Sequence, residues 1–481
     1  MDGEEELGNC SFLQVSLQSD AQLDLQEEGI RRYGPGLASP VLTVICFGLL
    51  VLVARGAPWR EGRGSQDGEG SKGGLPITVL VLMGLTMGLD FFCTDQYQPS
   101  MLHMSHHFGV AGEAMASTIQ IHQMCCALAM PCVGRWLCKH GIRPMILCCQ
   151  LFFAASTLSC AFSPSFGWFA AGRALQGISA SSSVAISAML SAAYTDRREM
   201  LRAANLVSCI ALVGHIAGPA AGGFLASAFG WRFGFLAVFC LAALITLANY
   251  LLLPDLTTEK APEAPTATEG GNGRILWRQL LVLMGLSLLR GSSYVVMSTN
   301  SFVFEAHYGL SIQRAALLMS VLVAAGAFGM AASTTLGFSP TEALNLFSPL
   351  LVLSAGYMAL VATLMISDNP LTYMSGVALH QFLAHGPTWA VLAEAQQDSG
   401  LDDAGLPPHV YAGMMNAFAS MLSLFGLGAI KGGPSTVLYV LAIMSFTSQA
   451  CIRAGSLWAA AKQLARQAFA DSGAEFKPID E

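Results

Sequence analysis

The 481-residue chain is predicted to be an all-α membrane protein built of two six-helix halves. Three observations predict this. Apolar residues make up 53% of the sequence and charged residues only 11%, less than half of the about 25% usual in a soluble domain. The apolar residues come in runs of about 20, the length that spans a bilayer. A polar stretch rich in Pro, Thr, Glu and Gly, residues 254–278, falls between the sixth and seventh of those runs.

The same composition excludes other classes. Disordered chains and coiled coils carry far more charge, and nucleic-acid binding needs clustered Lys and Arg. A net charge of −7 gives no global basic field to attract polyanions. The thirteen cysteines contain no CxxC. Most, such as Cys93, Cys125, Cys126 and Cys149, lie inside apolar runs, where a thiol packs as a small apolar group. No HExxH, GxSxG or phosphate-cradling Gly loop occurs, so neither an enzyme nor a cofactor nor a metal is expected. His103, His106 and His107 cluster without an acidic or Cys ligand at metal-site spacing and read as solvated loop histidines.

Residues 1–38 are polar and acidic, unlike a secretory or transit peptide, and are expected to be disordered. Residues 39–54 hold an apolar run of about 15, marginal for a crossing, which forms either an additional transmembrane helix or an interfacial one. Residues 55–74 are Gly-rich and charged, a linker. Twelve spans follow, at about 75–98, 113–133, 144–163, 166–190, 203–226 and 233–253 in the first bundle, which covers 75–253. Those of the second bundle, 281–460, lie at about 281–304, 314–336, 345–366, 371–394, 410–430 and 435–458.

Basic residues set the orientation. They gather before span 1 (Arg55, Arg60, Arg63, Lys72), between spans 2 and 3, and between spans 4 and 5 (Arg197, Arg198, Arg202). More lie in the central loop 254–280 and in the tail 461–481. The linker, the central loop and the tail are therefore expected on the cytoplasmic side. A faint repeat supports two parallel halves. His107-Phe108-Gly109-Val110 follows span 1, and His307-Tyr308-Gly309-Leu310 follows span 7, an offset of 309 − 109 = 200 residues.

Four strings carry more specific information. Span 5 contains Gly214-His-Ile-Ala-Gly218-Pro219-Ala-Ala-Gly222-Gly223. Glycines every four residues make one stripe that lets a neighbouring helix approach closely, and Pro219 is expected to bend the span. Gly223, about 100° round from the stripe, is expected to tolerate Ala better than Gly218 tolerates Val. Span 4 contains Gly172-Arg173-Ala174-Leu175-Gln176-Gly177, with an Arg inside the membrane. The connection after span 2 reads Gly134-Arg135-Trp-Leu-Cys-Lys139-His140-Gly141-Ile-Arg143-Pro144, and span 1 ends Thr94-Asp95-Gln96-Tyr97-Gln98-Pro99.

These strings resemble motifs of the major facilitator superfamily at the expected positions. The span 5 string is similar to its antiporter motif, the span 4 string to its RxxQG motif, and the connection to its loop between helices 2 and 3. That loop lacks the usual acidic residue, with Cys138 near its place, so a charge relay through it is not expected. The end of span 1 resembles the DxYxP of the twelve-span drug:proton antiporters of the bicyclomycin/chloramphenicol-resistance type. The resemblance covers residues 75–460 and is stronger through span 6. It implies two six-helix bundles around a central cavity. It also implies proton-coupled export of a small organic or amphipathic compound by a monomer in the lipid bilayer, the plasma membrane rather than an organelle. A facilitator or symporter of the same fold is the nearest alternative, and a transport-inactive receptor or scaffold the alternative of another class.

At 1.5 Å per residue, Asp90 lies roughly 12 Å and Asp95 about 5 Å below the outer end of span 1, and Arg173 roughly 10 Å below it on span 4. Arg173 can then reach either carboxylate. Both Asp90 and Asp95 stay open as the proton carrier, with Arg173 setting its proton affinity. Arg290 in span 7 lies roughly 20 Å deep, where an unpaired Arg costs about 2.5–3.5 kcal/mol. A counter-ion or an anionic substrate accounts for it. The cavity is expected to be lined by Tyr97, Gln176, Arg290, Asn300, His380, His385 and Trp389, with each His also readable as a packing residue.

Overall fold

The computed structural model describes residues 74–194, 196–254, 277–336, 340–364, 366–397 and 408–471. All of them lie in the second of the chain's two units, Val53–Glu481. The acidic terminus 1–38, the apolar run 39–54, most of the linker 55–74, most of the central loop 254–280 and the last ten residues of the tail lie outside the described residues.

Among the described residues the regular structure is helical throughout. Spans 1, 2 and 3 are the helices Ile77–Gln96, Gly112–His140 and Ile142–Ala161. Span 4 is Phe166–Ala180 followed by Ser182–Ala193, and spans 5 and 6 are Arg197–Phe229 and Trp231–Leu252. In the second half, spans 7 to 9 are Trp277–Phe302, Ile312–Thr335 and Pro340–Thr363. Spans 10 to 12 are Pro370–Gln397, Pro408–Gly426 and Ala429–Asp471, the last broken at Gly433. Among the described residues, eight helices are long and apolar enough to cross a membrane by length and composition alone. Span 2 falls short because it carries Gln120, His122 and Gln123, and span 4 because it is two short helices.

Three differences from the sequence reading stand out, two of them with a physical reason. The expected loop from Gly134 is helix as far as His140. It ends only at Gly141, whose φ of 91° a side chain rarely adopts. Span 5 begins at Arg197, before its apolar run. Span 4 breaks at Ser181 inside a run of serines, whose hydroxyls compete for backbone partners; the Ser181 hydroxyl donates to the Ile178 carbonyl.

The repeat has a backbone counterpart. Gly109 and Gly309 both end their segments in the left-handed region, at φ 63° and 64°. Within the first half, span 1 packs along span 5 and span 3 on span 6; within the second, span 7 packs on spans 11 and 12 and span 8 on span 10. The halves meet along spans 2 and 11 and along spans 5 and 8. Without a hydrophobic driving force in lipid, van der Waals packing and hydrogen bonds hold these seams. One cluster joins Cys126 and Met130 of span 2 to Leu286 of span 7 and to Tyr411 and Met415 of span 11.

Candidate functional site: two carboxylate–histidine pairs beside a buried arginine

The glycine stripe of span 5 lies against span 1. A Cβ on Gly214 would stand 2.6 Å from the Gly88 carbonyl oxygen, and one on Gly218 would stand 2.6 Å from the Asp95 Cβ. One on Gly222 would run into the Gln96 carbonyl. Gly223 points elsewhere, at the Ala316 methyl of span 8, so it is a contact point in its own right rather than a tolerant position. The adjacent Ala220 N–H donates to the Ser320 hydroxyl of span 8 at 3.1 Å.

That close seam delivers His215 to Asp95. The Asp95 side chain is 0% exposed; one carboxylate oxygen pairs with His215 Nδ1, and the other accepts from Gln98 Nε2 at 2.6 Å. His215 also packs against Phe91, with ring centroids 5.4 Å apart. Asp90 has a different histidine. His122 of span 2 puts Nε2 3.1 Å from Asp90 Oδ1, near enough for an ion pair yet without hydrogen-bond alignment.

Arg173 meets neither carboxylate within ion-pair distance, contrary to the expectation from depth. Its fork is spent on neutral groups: Nη1 donates to Gln176 Oε1 at 2.5 Å and toward Cys93 Sγ at 3.9 Å. Nη2 donates to Thr94 Oγ1 at 3.3 Å, and the guanidinium carbon sits 4.7 Å from the Tyr97 ring centre. Gln176 in turn donates to Thr157 at 2.7 Å, and the Tyr97 hydroxyl bonds Thr118 at 3.0 Å. Tyr97 and Gln176 are thus buried partners of Arg173 rather than cavity wall.

In the second half, Arg290 is half-buried. Its Nε donates to the Tyr294 hydroxyl at 3.1 Å, and that hydroxyl faces Gln123 of span 2 and Asn416 of span 11, each at 3.2 Å. No described carboxylate lies within ion-pair distance of Arg290. His385 donates from Nδ1 to its own helix at Gln381 O, 2.8 Å away. His380 is fully buried between the Ser292 and Ser445 hydroxyls at 2.8 and 3.1 Å, a satisfied packing residue. Asn300 is buried too, accepting from Tyr373 at 2.8 Å. The surroundings of Gly134, Arg135 and Trp389 lie outside the described residues. Lys139 is exposed beside Gly141, and Arg143 Nη2 donates to the Tyr250 carbonyl at 2.7 Å, tying the start of span 3 to the end of span 6.

The partners His122 and His215 were not singled out from the sequence, although a signal exists. Each is a titratable residue inside a span, which is a functional candidate by default. His215 stands inside the very string that marks span 5.

Comparison with known proteins agrees with this architecture. The family model described as Major Facilitator Superfamily matches residues 77–430. The bicyclomycin resistance protein homolog of Haemophilus influenzae is 22% identical over 382 residues, 78% of this chain and 93% of its own length. The multidrug transporter AQR1 of Candida glabrata is 29% identical over 161 residues, 33% of this chain; the match spans only 27% of that relative. Among solved structures, a D-xylose-proton symporter superposes with a TM-score of 0.60 at 14% identity, over 79% of this chain and 95% of its own. At that identity the likeness speaks for the fold.

Proposed function

The chain belongs to the Major Facilitator Superfamily, and from that premise we propose that it is a proton-coupled antiporter, exporting small organic, amphipathic compounds by alternating access. The observation that carries the proposal is Asp95. A carboxylate wholly removed from water, bonded to a histidine across the span 1–span 5 seam, is expensive to keep in a membrane unless it is used. The pair can hold or release a proton while both groups stay hydrogen-bonded. The span 5 stripe sets its geometry, since Gly218 packs on the Asp95 side chain itself. Protonation from outside and release inside would drive the cycle, with substrate competing for the deprotonated state. Arg173 holds span 4 to span 1 beside the pair and keeps a fixed positive charge within its field.

One observation favours a second reading, symport of an organic anion. Arg290 has no described carboxylate partner. Two Asp and two Arg balance in the interior; with each pair proton-loaded the balance becomes positive, which would draw an anion in. Transport by purified protein in vesicles holding a pH dye separates the readings. Vesicles are loaded in turn with amphipathic amines, neutral aromatics and aromatic carboxylates. Antiport predicts protons moving against the outflowing compound. Protons moving with it would mean symport, outflow without proton movement would mean a facilitator, and no outflow of any compound would leave the receptor or scaffold reading.

A further inference from the structure

The second carboxylate–histidine pair is not used by the Asp95 site. Asp90 lies five residues before Asp95 on span 1, about 7.5 Å further along the helix and about 140° round from it. His122 is 0% exposed. Neither of its ring nitrogens has an aligned hydrogen-bond partner, and its polar neighbours are the Asp90 carboxylate and the Arg173 backbone carbonyl. Both neighbours are acceptors. A neutral imidazole offers one N–H and one lone pair, so it serves one acceptor and turns a lone pair on the other. A doubly protonated ring donates to both. A buried polar group left unpaired calls for an explanation, and a proton that arrives and leaves supplies it.

Access differs between the two pairs. The Asp95 side chain is 0% exposed in a helix seam, whereas that of Asp90 is 21% exposed. It borders a narrow cleft of about 10 Å³, room for about one water, lined also by Thr86, Gln150, Ser179 and Ser182. Beneath the cleft, Asn249 of span 6 donates to Thr86 at 2.8 Å and to Gln150 at 2.7 Å. The charged and titratable groups around the pair are Cys93 and Asp95 on span 1, Cys126 on span 2, Arg173 on span 4, and Tyr294 and Arg290 on span 7.

We propose that Asp90 and His122 form a second proton-binding pair, so that each transport cycle carries two protons. A proton adds to neutral His122, giving an imidazolium between ionised Asp90 and the Arg173 carbonyl. The net charge of the pair goes from minus one to zero; the proton leaves by the cleft, and no bond other than N–H changes. The inference rests on the proton-coupled reading of Asp95. One unit of pH difference then sustains roughly a hundredfold substrate gradient, against roughly tenfold for one proton.

The test is a pH-difference infrared titration of the purified full-length protein over about pH 3 to 9, which needs no substrate. It compares wild type with Asp95→Asn, Asp90→Asn and His122→Gln. Expected are two separable protonation signals in the wild type. Asp95→Asn removes one, His122→Gln removes the other, Asp90→Asn moves that second signal to lower pH, and the combination of His122→Gln with Asp95→Asn removes both. If Asp90→Asn does not fold, His122→Gln decides alone, since it keeps a donor of similar size. A spectrum unchanged by His122→Gln, or a single signal lost with Asp95, overturns the second site. A wild type that lacks the Asp95 signal but keeps the Asp90–His122 signal would instead sink the Asp95 reading and leave the second site standing.

Discussion

Arg173 donates to Gln176 on its own helix and to Thr94 on span 1, and its guanidinium lies over the Tyr97 ring. Asp90, Asp95, Arg173 and Arg290 announce themselves because an ion inside a membrane span is expensive. Which groups they meet depends on how each helix is rotated about its axis, and contacts between distant segments set that rotation. So Arg173 reaches span 1 yet bonds Gln176, Thr94 and the Tyr97 face, while the carboxylates take His215 and His122. This arrangement makes Arg173 a brace between spans 1 and 4. Arg173→Lys keeps the charge but loses the planar fork, and each bond from a charged donor is worth about 1.5–3 kcal/mol. The variant is expected to unfold at a lower temperature by an amount equivalent to about 2 kcal/mol, with transport reduced, and Arg173→Ala to fall further on both. Thermal unfolding in detergent alongside vesicle transport checks it; an unchanged unfolding temperature for Arg173→Ala would remove the brace.

Helices and their seams were more legible than their side-chain partners. Runs of apolar residues located all twelve spans, because the bilayer fixes their length. The stripe Gly214, Gly218 and Gly222 was visible as a contact face, but its partner was not. Gly223 looked tolerant only because its azimuth says nothing about what stands opposite. Overpacking typically costs about 1–3 kcal/mol. Gly222→Ala, which drives a methyl into the Gln96 backbone carbonyl, is expected at the upper end of that range. Gly223→Ala is expected to be costly as well, through Ala316. At Gly218 the loss should follow side-chain volume, Ala then Ser then Val, and should carry over to proton coupling because the obstructed atom is the Asp95 Cβ. Gly356 of span 9, with nothing within 4 Å of an added Cβ, is the control and should accept Ala unchanged. Unfolding temperature and passive proton leak measured across the series test the ranking; indifference at Gly222 would mean that the seam opens freely.

The whole molecule is held shut at the end carrying the Gly109 and Gly309 turns. Glu113 pairs with Lys431 at 2.8 Å, His103 with Glu305 at 3.3 Å, and Gln313 with Ser227 at 2.8 Å, all joining one half to the other. Deeper in the seam Gln120 donates to Ser298 at 2.8 Å. Alternating access requires these contacts to part together. Glu113→Lys should therefore raise the reactivity of Ser298→Cys toward a membrane-impermeant thiol reagent, read against the parent with its thirteen native cysteines. The rise should be no more than about fivefold, since an exposed pair is worth at most about 1 kcal/mol. Adding Lys431→Glu should reverse it. No residue pattern could foretell these pairs, because they join segments from 86 to 431 − 113 = 318 positions apart. The central claim, that Asp95 with His215 couples the chain to protons, is tested most directly in vesicles by comparing wild type with Asp95→Asn in two modes. An amide keeps the shape of the side chain but cannot titrate. Substrate–substrate exchange should persist in the variant while the substrate gradient sustained by one unit of pH difference falls from roughly a hundredfold to roughly tenfold or less. Full pH-driven transport by Asp95→Asn would contradict the account.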